Sequence, residues 1–65
     1  MWTVVYIAVG KEKAESFKQL LHAEGILADL RSAGNGTAGN AMFEVVVPAS
    51  EAEEAHTILM QNLAR

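Results

Sequence analysis

The run Trp2-Thr3-Val4-Val5-Tyr6-Ile7-Ala8-Val9 constrains the fold more than any other stretch of the chain. Its β-branched and aromatic residues predict a strand that stops at Gly10. Successive side chains of a strand point to opposite faces. At strict alternation Trp2, Val4, Tyr6 and Ala8 face one way and Thr3, Val5, Ile7 and Val9 the other, and neither set is polar. A strand apolar on both faces is covered on both faces.

What supplies the second cover is a question of size. The 65 residues make one domain, 1–65, with no cysteine for disulfides or thiolate metal sites. So short a chain buries only roughly 60% of the surface its unfolded form exposes, yet 51% of its residues are hydrophobic. A small sphere cannot hide that fraction, so an apolar surface shared with a second copy is expected.

Charge narrows the partners. The formal net charge is -3, and the five basic residues are scattered rather than clustered. Nucleic acid attracts basic stripes through counterion release, and anionic membrane surfaces also need basic residues, so neither is expected as a partner. The N-terminus shows no basic segment before an apolar one, as a signal peptide would. No run reaches membrane-span length. The cytoplasm is the expected compartment.

Ala14, Phe17 and Leu21 recur at helical spacing, with Leu20 widening the stripe, and predict a helix over 11–24. Gly25 ends it in a left-handed cap. Residues 26–32 alternate, with Ile26, Ala28 and Leu30 inward. Residues 42–47 alternate too, with Phe43, Val45 and Val47 inward and Met42, Glu44 and Val46 outward. Pro48 closes that strand. Ser50-x-x-Glu53 spells a capping box opening a second helix over 50–62, with Ala52, Ala55, Leu59 and Leu63 on one face. The order β-α-β-β-α is the split β-α-β unit of ferredoxin-like folds without its last strand. Right-handed crossover puts both helices on one face of an antiparallel sheet of order 1-3-2. Strand 1 is then an open edge, where another chain can pair.

The segment Gly34-Asn35-Gly36-Thr37-Ala38-Gly39 spells G-x-G-x-x-G. The dinucleotide fingerprint needs a strand before it and a helix after it. Here a strand follows, so residues 33–41 read as a mobile hairpin loop, and no cofactor is expected. Backbone amides of a glycine-rich loop can still cradle an anion or nucleotide. That makes Gly34, Asn35, Gly36, Gly39 and Asn40 the candidate ligand-binding residues, although the loop holds no lysine or arginine.

His22 and His56 are the only histidines, and antiparallel helices could bring them together with Glu53 one turn before His56. Two imidazoles and a carboxylate suit a transition metal. The favoured alternative is that both rings flank an apolar stripe and end in solvent, so no metal is expected. Arg31 and Glu44 suit a cross-strand pair on the outer sheet face. Trp2, Val4, Tyr6 and Met42 form an expected outer patch and are the candidate interface residues. RNA-binding sheets present aromatics in this way, but the acidic chain argues for burial in a dimer. Catalysis is not expected, because no serine or threonine has a readable base and orienting acid.

The runs Trp2-Thr3-Val4-Val5-Tyr6-Ile7-Ala8, Ala14-Glu15 with Leu20-Leu21-x-x-Glu24-Gly25-Ile26, and Glu44-Val45-Val46-Val47-Pro48 with Glu51-x-x-Glu54-Ala55 carry a resemblance. Together they resemble small bacterial domains of unknown function grouped as signal-transducing proteins. The resemblance spans nearly the whole chain. It implies a ferredoxin-like, PII-like fold, oligomerisation and a signalling role. The PII-like proteins signal through a long loop between strands 2 and 3. The segment 33–41 holds that place but is far shorter, and no effector or modification residue matches. A decarboxylase assignment lacks support, because a pyridoxal enzyme needs a Schiff-base lysine in a much larger fold.

The expected function is therefore a non-catalytic regulatory or interaction domain. It would be a homodimer through strand 1 or the outer sheet face, or would bind a further protein partner. The alternatives are a small-molecule sensor using the glycine-rich loop and a metal protein or enzyme using His22 and His56.

Overall fold

A computed structural model describes residues 1–34 and 41–63. Strand β1 (Trp2–Val9) leads to helix α1 (Lys11–Ala23), then β2 (Asp29–Ser32) and β3 (Met42–Pro48). A 3-10 turn (Ala49–Glu51) opens helix α2 (Ala52–Leu63). The three strands form one antiparallel sheet of order β1-β3-β2, as the sequence predicts. Buried residues of both helices, Ala14, Phe17, Leu21, Ala55 and Leu59, pack with Ala8, Val45 and Val47 of the sheet in a single core. Both helices thus cover the same face. Burying a side chain such as Leu21, Phe17 or Leu59 stabilises by roughly 1.5–3 kcal/mol.

The end of α1 shows how sequence sets a boundary. Gly25 has φ 84°, in the left-handed region. The N–H of Gly25 donates to the carbonyl of His22 (3.0 Å), and that of Ile26 to the carbonyl of Leu21 (2.9 Å). These are the paired bonds of a Schellman motif. Leu21 and Ile26, the two residues such a motif brings together, are both in the core.

Strand β2 is shorter than the alternation over 26–32 predicts. Ile26 and Ala28 are buried and Leu27 exposed, so the inward and outward assignment holds. The ladder, however, begins at Asp29, opposite Val46. Extending that register would set Leu27 opposite Pro48, which has no N–H to give. The N–H of Leu27 donates instead to Glu51 Oε1 at 3.2 Å.

The second helix also starts differently. Ser50 lies inside the 3-10 turn, which has Pro48 before it and no side-chain cap. The expected capping box is absent because the backbone enters the turn straight from the ladder. The N–H of Ala49 donates to the carbonyl of Met1 at 2.8 Å, one pair beyond Trp2 and Pro48. Leu63, expected on the buried face, is exposed.

The largest departure is in β1. Val4 pairs with Val46 and Tyr6 with Val45, so Val5 is an extra residue, a β-bulge. The bulge resets the alternation. Val5 and Tyr6 are consecutive, yet both pack against the core, and Ala8 follows them inward. Trp2, Val4, Ile7 and Val9 are the exposed residues of the strand. Tyr6 therefore does not share a face with Trp2 and Val4. Its ring meets Phe17 edge to face, centroids 4.8 Å apart and planes at 75°. Such a pair is worth about 0.5–1.5 kcal/mol beyond its area.

Gly25→Ala tests the cap. A β-carbon at position 25 meets no atom within 4 Å, so its cost is purely conformational. The left-handed backbone should cost the variant about 1–2 kcal/mol, read as a lower urea midpoint at an unchanged slope. A loss under ~0.5 kcal/mol would mean that the left-handed cap is not what ends α1.

Candidate functional site

The side of the sheet away from the helices has no cover within the described chain. Trp2, Val4, Ile7 and Val9 line it from β1, with Ile7 51% and Val9 54% exposed. From β3 come Met42, Glu44, Val46 and Pro48, which alternate with the inward Phe43, Val45 and Val47. Val46 is 1% exposed although it stands outside the helix-side core. As a residue of the central strand it has Val4 on one side and Asp29 on the other. Strand β2 adds Asp29 and Arg31. The face is thus an apolar stripe along β1 and half of β3, with one polar corner.

That corner is internally neutralised. Arg31 stands opposite Glu44 in the ladder, and its guanidinium lies 3.4 Å from Glu44 Oε1, the pair expected from sequence. Asp29 faces Lys18 of α1 at 3.9 Å. Exposed pairs of this kind contribute about 0–1 kcal/mol. They add little stability but leave little unpaired charge beside the stripe.

The backbone of the β1 edge has a definite phase. In an antiparallel ladder, residues alternate between hydrogen-bonded and non-bonded pairs. The bonds from Ala49 N–H to Met1 O and from Gly10 N–H to Ala41 O flank the β1–β3 ladder. With the register between them, they turn the amides and carbonyls of Thr3, Tyr6 and Ala8 toward β3. Those of Trp2, Val4, Ile7 and Val9 face the free edge. The bulge breaks the spacing of this edge between Val4 and Ile7.

Three of the four expected interface residues, Trp2, Val4 and Met42, do lie on this open face, and Tyr6 does not. The structure adds Ile7 and Val9, which strict alternation placed opposite Trp2. No composition signal marks a one-residue bulge, so that addition was out of reach of the sequence.

The other candidate residues are dispersed. His22 Nε2 donates to the carbonyl of Ala28 at 2.9 Å, tying the end of α1 to the approach of β2. His56 and Glu53 instead line an open groove of about 600 Å³ between α2 and the start of β1, with Thr3, Val4, Val5, Ala49 and Ala52. The meeting of His22, Glu53 and His56 that the metal alternative requires does not occur, and among the described residues no three His, Asp or Glu side chains cluster as metal ligands. The segment after α1 and the turn before α2 meet instead, through the Leu27–Glu51 bond. Gly34 is exposed at φ 121°. Asn35, Gly36, Gly39 and Asn40 lie outside the described residues, as does the expected mobility of their loop. No described helix is long and apolar enough to cross a membrane.

No family model, curated protein or solved structure matches this chain.

The His22 bond carries a prediction. His22→Ala should lower stability by about 1 kcal/mol, the net worth of one hydrogen bond, whereas His56→Ala should leave it unchanged. Urea titrations of both variants check this. Equal losses would contradict the different roles of the two rings.

Proposed function

We propose that this chain is a non-catalytic interaction domain that works through the open face of its sheet. The observation that carries the reading is the bulge at Val5. It lets β1 supply Val5, Tyr6 and Ala8 to the core and still present Trp2, Val4, Ile7 and Val9 outward. An antiparallel sheet that faces water ordinarily alternates apolar and polar residues. This strand presents an uninterrupted apolar row instead, and a contiguous exposed apolar patch is the mark of a binding surface. Trp2 and Met42 belong to the residue types enriched at interface centres.

The resemblance to small bacterial signal-transducing, PII-like domains supports a regulatory role for such a surface. An enzymatic or metal reading has less support, since His22 bonds the Ala28 carbonyl while His56 lies with Glu53 in a separate groove, and no third ligand joins them among the described residues. The absence of a basic stripe across the sheet likewise disfavours nucleic acid as the partner.

Photo-cross-linking in the native host tests the reading. A benzophenone side chain at position 7 should give a covalent protein adduct, and the same group at Gln19 on α1 should not. Equal adducts from both positions, or none from position 7, would remove the open face as the working surface.

A further inference from the structure

We infer that the occupant of the open sheet face is a second copy of this chain, docked face to face across a two-fold axis running close to β1. This rests on the reading of that face as the interaction surface and names its partner.

The first argument is electrostatic. The net charge of -3 is not spread evenly over the two layers. The helices and their connections carry Glu12, Glu15, Glu24, Glu51, Glu53 and Glu54 against three lysines. The outer sheet face carries Asp29 and Glu44 against Arg31, with Arg31–Glu44 and Lys18–Asp29 already paired. Two like-charged copies approach at least cost when their acidic layers point away from each other. Contact through the sheet achieves that, and contact through the helices does not.

The second argument is the arrangement of the face. An axis near β1 brings the two rows of Trp2, Val4, Ile7 and Val9 together at the centre. Asp29 and Arg31 of β2 are left at the rim, and Glu44, beside Ile7 on the central strand, enters paired with Arg31. Apolar centre and polar rim is the anatomy of protein interfaces, and a two-fold requires one patch to complement itself.

The third argument separates the face from the edge. Pairing two β1 edges into a continuous sheet needs outward amides and carbonyls at every second residue. Here they stand at Trp2 and Val4, then at Ile7 and Val9, out of step by the bulge residue. Bulges are among the devices that protect sheet edges from such pairing. The same residue that spoils the edge completes the apolar row on the face.

Area sets the strength. Strands of eight, seven and four residues set ~4.8 Å apart fit within a footprint of roughly 26 by 14 Å, narrowing toward β2. A standard interface buries about 800 Å² per partner, so this one belongs at the small, reversible end. The dimer should dissociate at ~10 µM or above.

Trp2, the sole tryptophan, sits on the face and reports its burial. Sedimentation equilibrium and Trp2 emission should be followed together from micromolar to millimolar concentration. A monomer–dimer equilibrium is expected, with emission moving to the blue in step with mass. Added salt should strengthen association by screening the repulsion between acidic chains. Ile7→Lys and Val9→Lys should each weaken it at least ~tenfold, with the circular dichroism of the dilute chain unchanged, while Gln19→Ala has no effect. Association that salt weakens, that ignores both lysine variants or that leaves Trp2 emission unmoved would overturn the proposal. A monomer throughout, together with a position-7 cross-link to a different protein, would overturn self-association and leave the interaction face standing. A monomer with no cross-link would overturn both.

Discussion

The central strand must satisfy hydrogen bonds on both of its sides, and most of the remaining geometry follows from how β3 does so. Its odd-numbered residues bond toward β1 and its even-numbered ones toward β2. Val45, Val46 and Val47 are consecutively buried as a result, two under the helices and one between its neighbours on the open side. Pro48 is admitted because it falls where the ladder toward β2 ends. Its missing N–H would leave the Leu27 carbonyl without a ladder bond, β2 begins only at Asp29, and the Leu27 amide donates to Glu51 in the turn before the second helix. A single imino acid thus limits the length of one strand and precedes the turn into the second helix.

Much of this was legible in the residues. Ala14, Phe17 and Leu21 at helical spacing, Gly25 behind them, and the alternation of Phe43, Val45 and Val47 gave the elements and their inward faces. The strand order followed from chain topology and needed no side-chain detail. Hidden features were those in which a backbone choice depends on a distant segment. Val5 bulges because β1 must match a β3 whose register is held at both ends, and nothing in the local sequence signals it. The capping box at Ser50 failed similarly: the ladder runs on to the Ala49–Met1 bond, and the turn that follows takes Ser50 inside it, where it cannot serve as an N-cap.

The same division applies to the site. Trp2, Val4 and Met42 could be picked out by their apolar character at outward positions. Tyr6 could not be told from them, since the evidence for its burial is the ring of Phe17 on another element. The histidines could be read only in part: the sequence allowed them to converge but favoured rings ending in solvent, and the bond from His22 to the Ala28 carbonyl needed the fold to bring the two together.

The β1–β3 ladder joins Trp2 to Pro48, across the whole of α1 and β2. During synthesis β1 leaves the ribosome before α1 and β2 and waits for its pairing partner until both have been made. Helix α1, closed by local bonds at Gly25, can form meanwhile, but the sheet cannot. Contacts so distant in sequence make folding slow for a small domain, and an apolar strand kept waiting is exposed to other nascent chains.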